Sequence, residues 1–169
     1  MPTTAKRWIN LLGFTVCAAL LGFGYYSQFY QGLEPCPLCI FQRVAFIALG
    51  VIFLIAGLHN PGRIGARLYA VLIGLAGLAG TGIAGWHVYI QNLPPDKVPE
   101  CGPGLDYMLE AFNFSQTLKM VFTGSGECAE ISWSFLGLSM PAWALLWFVG
   151  FTLVGFIANW RSPSRRIFS

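Results

Sequence analysis

The chain has 169 residues, 56% of them hydrophobic and only 10% charged, with a net charge of +3. A soluble domain carries about 25% charged residues, so an ordinary soluble globule is excluded and a membrane protein is expected. No nucleic-acid partner is expected.

A helix that crosses a bilayer needs about 20 mostly apolar residues. Four segments meet that need, at about 8–27, 40–58, 68–90 and 140–160. The expected fold is therefore an all-α integral membrane protein, a four-transmembrane-helix bundle forming one membrane domain over 1–169. Its outer loops span 28–39 and 91–139.

The first segment has an apolar core about twice as long as a signal-peptide h-region. Its exit, Tyr25-Tyr26-Ser27-Gln28, offers no small-x-small cleavage site, so it reads as a retained anchor. Cys17, in mid-span, follows Val16 rather than a small residue and reads as a packing residue.

"EPCPLCIFQRVAF" follows, with Cys36 and Cys39 two residues apart and Arg43 one helical turn later. The second span then runs to a short loop carrying Arg63 and Arg67. The third span is rich in small residues, Gly74, Gly77, Gly80, Gly82 and Gly85, which let membrane helices approach closely. His87 lies near its end, with Gln91 one turn beyond.

The long loop after it begins with the Pro- and Gly-rich "NLPPDKVPECGPG", an irregular segment carrying Cys101. Leu105, Met108, Leu109 and Phe112, then Leu118, Val121 and Phe122, stand at helical spacing. They predict a short helix lying on the membrane surface or packed on the bundle top. "TGSGEC" reads as a turn before Cys128. Ser139-Met140-Pro141 starts the fourth span, since proline is tolerated in a first helical turn.

Charge sets the expected orientation. Lys6, Arg7, Arg63, Arg67, Arg161, Arg165 and Arg166 flank one side of the spans. Glu34, Asp96, Glu100, Asp106, Glu110, Glu127 and Glu130 all fall on the other. Basic short loops stay in the cytoplasm, so both termini are expected there. Cys36, Cys39, Cys101 and Cys128 then face outward. An even number of cysteines in an oxidising compartment points to two disulfides.

A ring closed by Cys36 and Cys39 constrains the unfolded chain little, so its value lies in exchange more than in stability. Cys101 and Cys128 would close a loop of roughly 28 residues, worth about 3.5 kcal/mol by the chain-entropy model, and alone would pass as structural. A helix starting near Cys39 would turn its N-terminal dipole toward that sulfur. Arg43 stands at i+4 on the same face. A charge pair about 5 Å apart at an effective dielectric near 20 is worth roughly 3 kcal/mol. Alone, Arg43 would read as a charge snorkelling to headgroups. Beside a cysteine pair it reads as part of a redox site. His87 and Arg43 are expected at similar depth beside Cys39, flanking a polar headgroup whose tail stays in lipid. A quinone fits: it takes two electrons and two protons, which a dithiol releases on becoming a disulfide.

"CPLCIFQR", "HVYIQ" and "GECAEISWSFLGLSMPAW" resemble the disulfide bond formation protein B family of bacterial inner membranes, along essentially the whole chain. The resemblance implies a protein dithiol:quinone oxidoreductase. Its partner would be a periplasmic thioredoxin-like thiol oxidase of the DsbA type, and its acceptor ubiquinone or menaquinone. By position, Cys36 and Cys39 match the quinone-proximal pair, with Cys39 against the quinone. Cys101 matches the cysteine attacked by the partner, and Cys128 its loop partner. Arg43 matches an arginine implicated in quinone function and His87 the histidine beside it; Gln91 is carried as a further quinone-binding candidate. Pro37 and Leu38 fill the pair, and Pro37 is expected to tune its potential.

Three rivals remain at this level. Four thiolates suffice for a structural zinc, although an oxidising location and a single CxxC weigh against it. The vitamin K epoxide reductase-like family shares four helices and quinone chemistry, but there the CxxC follows the loop pair. A structural bundle with two stabilising disulfides would exchange with no partner.

Overall fold

The computed structural model describes residues 3–98, 113–123 and 126–161. Four long helices dominate: α1 (Thr3–Gln31), α2 (Pro37–His59), α3 (Arg63–Gln91) and, last in the chain, α6 (Met140–Trp160). All four are long and apolar enough to cross a membrane. Between α3 and α6 lie a 3-10 turn (Pro95–Lys97), α4 (Phe114–Thr123), α5 (Gly126–Ala129) and a hairpin of β1 (Ser134–Phe135) and β2 (Leu138–Ser139). Leu105, Met108, Leu109 and Phe112, expected to start the loop helix, lie outside the described residues, as does Cys101.

The helices run longer than the apolar segments. Lys6 and Arg7 fall inside α1, and Lys6 is buried with its Nζ donating to the Pro61 carbonyl at 2.6 Å. Hydropathy marks the lipid-facing length, whereas backbone hydrogen bonding continues into the polar ends.

Helix α1 packs on α2, α2 on α3, and α3 most extensively on α6. Small residues explain the last pairing. A Cβ at Gly77 would lie 2.0 Å from Thr152 Oγ1, and one at Gly80 2.3 Å from the Phe148 ring. No described residue lies within 4 Å of a Cβ at Gly82, so only part of the glycine stripe packs against the described helices.

The central core holds Leu49, Phe53, Ile73, Ala84, Phe148 and Phe151. Cys17 is buried among them, its Cβ 3.3 Å from where a Cβ on Gly50 would stand. Around this core, Val44, Ile47, Val51, Leu68, Leu75 and Leu153 are exposed, as lipid-facing residues of a membrane bundle are. At the end away from the cysteine pair, Asn10 and Asn159 exchange amide hydrogen bonds of 3.1 and 2.9 Å, tying α1 to α6.

Candidate active site

Helix α2 opens at the cysteine pair. Cys36 is its N-cap in extended conformation, and Pro37 occupies the first turn, where its missing N–H costs nothing. Cys39 therefore sits in the first turn, three residues from Cys36, with the two sulfurs 3.2 Å apart. The local sequence thus places both thiols at the positive end of the helix dipole.

The described part of the second loop, α4 and α5 with the hairpin, folds over this end. Val121 of α4 is buried with Cys36, Leu38, Ile90 and Cys128, and the Phe122 ring lies 6.3 Å from that of Phe41. The described contacts of α4 are thus with the bundle end. The hairpin turns at Leu136 (φ 50°) and Gly137 (φ 79°), the positive-φ pair that a two-residue turn demands. It was not anticipated, because "FLGL" offers one glycine and little alternation. Ser139 Oγ donates to Gln91 Oε1 at 2.7 Å and Trp143 Nε1 to the Phe135 carbonyl at 3.1 Å. Trp133 meets Phe23 edge-on at 5.5 Å.

His87 is the joint between loop and spans. Its Nε2 lies 3.1 Å from the Cys128 carbonyl and 3.7 Å from Cys36 Sγ. A carbonyl only accepts, so Nε2 carries the hydrogen. Nδ1, 3.1 Å from Gln42 Nε2, then accepts from that amide. His87 is thus a fixed donor toward the Cys36 sulfur and the Cys128 backbone. Its contact is with Cys36, not with Cys39 as the sequence led us to expect.

Arg43 turns to α1. Its Nη1 donates to Gln28 Oε1, its Nη2 to the Gly24 carbonyl at 3.0 Å, and its guanidinium covers the Tyr25 ring at 4.9 Å. These contacts fix the fork at one wall of a cavity of about 320 Å³. Cys36, Cys39, Gln42, Arg43, His87 and Gln91 all line it. Leu20, Leu21, Phe46, Ala144 and Trp147 supply apolar walls, and Trp133 and Phe135 belong to the covering loop. The volume falls in the range of about 300–1,000 Å³ usual for small-molecule sites.

Five of the expected site residues therefore share one cavity, and Cys128 stands against Cys36. Two contributors were missed. Gln42 is buried and follows Cys39 by three residues, a spacing that puts both on one helix face. Ser27 lines the cavity with a buried hydroxyl that has no hydrogen-bond partner among the described residues.

Losing the Gln42 amide would leave Nδ1 of buried His87 unpaired, at a cost of about 1–3 kcal/mol. Gln42→Leu is expected to lower Tm, while Gln42→Asn restores part of the loss. A melting curve checks this.

A four-helix membrane bundle with a buried cysteine–histidine cluster opening onto an apolar cavity defines a membrane thiol–disulfide protein. The family model described as disulfide bond formation protein DsbB matches residues 6–158. Similar chains named disulfide bond formation protein B occur in Nitrosococcus oceani, 52% identical over 92% of this chain and 90% of the relative. In Hahella chejuensis the figures are 52%, 94% and 96%. In Methylococcus capsulatus they are 48%, 96% and 99%. The chain belongs to the disulfide bond formation protein B family, and it is a multi-pass membrane protein of disulfide bond formation.

Proposed function

We propose that the protein oxidises a periplasmic thioredoxin-like dithiol oxidase of the DsbA type and passes the electrons to a membrane quinone, ubiquinone or menaquinone. One observation carries the reading. Cys36 Sγ lies 3.2 Å from Cys39 Sγ and within 4.8 Å of Cys128 Sγ, while Cys39 lines the cavity. That is a chain of sulfurs leading from an outer loop to an apolar chamber.

The exchanges balance. A partner thiolate attacks Cys101 of a Cys101–Cys128 disulfide and Cys128 leaves as thiolate. The partner's second thiol resolves the mixed disulfide, releasing oxidised partner and the Cys101 thiolate. Cys128 then attacks Cys36 of a Cys36–Cys39 disulfide and Cys39 leaves. Cys101 attacks Cys128, restoring the outer pair and freeing Cys36. Each step needs a thiolate beside a disulfide sulfur. The His87 Nε2–H supports the Cys36–Cys128 approach by holding the loop carbonyl and facing the sulfur.

The inner dithiol gives up two electrons and two protons, and the quinone supplies the acceptor for both. The residues present fit such a group. The orphaned Ser27 hydroxyl, Arg43 and Gln91 are polar groups at one end, and Leu20, Leu21, Phe46 and Trp147 suit an apolar tail. Orientation follows the basic loops, with both termini cytoplasmic in a bacterial inner membrane and the cysteine loops periplasmic. Reporter fusions after Arg67 should give a cytoplasmic signal and fusions near Glu110 a periplasmic one; the reverse would refute it.

The deciding experiment mixes the purified protein anaerobically with a reduced thioredoxin-like oxidase and a quinone and follows quinone absorbance. Loss of quinone in step with donor oxidation is expected; no loss with any donor overturns the reading. Within it, Arg43→Lys keeps a charge but not the planar fork bonded to Gln28 and Gly24. Apparent quinone affinity is expected to fall from wild type to Arg43→Lys to Arg43→Ala with the bundle still folded. Quinone dependence unchanged in Arg43→Ala would leave Arg43 a snorkelling charge.

A further inference from the structure

The same cluster has a second chemistry. Cys36 Sγ, Cys128 Sγ and a ring nitrogen of His87 all lie within 4.8 Å of one another, and all three residues are buried. Cys39 Sγ is 3.2 Å from Cys36 Sγ, so a fourth sulfur borders the group. Zinc bonds of about 2.3 Å to sulfur and 2.0–2.1 Å to nitrogen, at tetrahedral angles, set ligand–ligand edges of about 3.8 Å for S–S and about 3.6 Å for S–N. The observed Cys36–His87 distance of 3.7 Å already matches such an edge. The Cys128 sulfur needs to approach by at most about 1 Å.

We propose that the protein with both cysteine pairs reduced binds one zinc-class divalent cation through Cys36, Cys128 and His87, with the fourth position left to water. Each thiol that ligates releases a proton. His87 gives its Nε2 to the metal and carries its hydrogen on Nδ1, and Gln42 accommodates the change because its amide, rotated, presents Oε1 as acceptor at the 3.1 Å contact. Gln42 is thus the outer partner that ligating histidines ordinarily have. The site differs from a resident structural zinc: closing Cys36 and Cys39 into a disulfide consumes the ligand Cys36, and closing the outer pair consumes Cys128. Oxidation and metal binding are mutually exclusive, so a soft cation holds the protein in its reduced state.

The proposal stands apart from quinone chemistry, and its test reads metal alone. Full-length protein in detergent, reduced anaerobically and freed of reductant, is titrated with Co²⁺ and then Zn²⁺. The expected result is the intense visible d–d spectrum of tetrahedral thiolate-bound cobalt at one metal per chain, displaced by Zn²⁺. It should vanish when both pairs are oxidised by diamide. Gln42→Leu should weaken Co²⁺ binding about 10–100-fold, and His87→Ala at least as much. Cys17→Ala, remote in the bundle core, should bind as wild type does.

A circular dichroism spectrum establishes that each variant is folded. The oxidation arm needs no variant at all. No cobalt spectrum in the reduced wild type, an unchanged spectrum in folded His87→Ala, or retention after oxidation each overturns the proposal.

Discussion

On the proposed function, Cys39→Ser is expected to abolish quinone reduction while sparing a single oxidation of the partner per chain. A serine hydroxyl closes no disulfide with Cys36, 3.2 Å away in the native pair, so the inner store of oxidising power is lost. A Cys101–Cys128 disulfide would still accept one partner dithiol. Cys128 would then face Cys36 with no disulfide sulfur to attack, and the cycle would stop. Quenched-flow counting of oxidised partner should show one equivalent, then a plateau, with quinone absorbance flat. Cys17→Ala, whose sulfur is walled in beside Gly50, should turn over normally. Sustained turnover in Cys39→Ser would remove Cys39 from the electron path, and the cavity argument with it.

Much of this site could be read from residue order because its parts are close in the chain. Cys36, Cys39 and Arg43 lie within about two turns of helix, and Pro37 fixes where that helix starts. Spans were legible from apolar length, although the helices overrun them by several residues at α1 and α3, where polar ends keep hydrogen-bonding. What sequence could not give was pairing between helices. His87 was expected beside Cys39 and stands against Cys36, a choice set by the rotation of α3 on α2. Gln42 looked like a span residue of no note until His87 gave it a partner. Arg43 was read through its spacing to Cys39, whereas two of its donors go to Gln28 and Gly24 across the helix interface. The glycine stripe shows the same limit: a helical wheel groups Gly77 with Gly80 and sets Gly82 on the other side, but only the packed α6 shows which side is interface.

That distinction gives the second large effect. Gly80→Ala would place a methyl 2.3 Å from a carbon of the Phe148 ring, well inside contact distance, and Phe148 is fully buried with nowhere to swing. Its ring stacks on Phe46 at 4.0 Å, and Phe46 lines the cavity beside Cys39. Relief must come from separating α3 from α6 or from pushing Phe148 into Phe46. Overpacking of this kind costs about 1–3 kcal/mol. Gly80→Ala is therefore expected to lower Tm and to raise the apparent KM for quinone, with partner exchange at the outer loop much less affected. Gly82→Ala adds the same methyl where no described residue lies within 4 Å and improves helix propensity. It should leave KM unchanged and Tm equal or higher. A thermal melt and a quinone titration on the two variants decide between packing and propensity. Equal behaviour of both would mean that the α3–α6 contact does not shape the cavity wall.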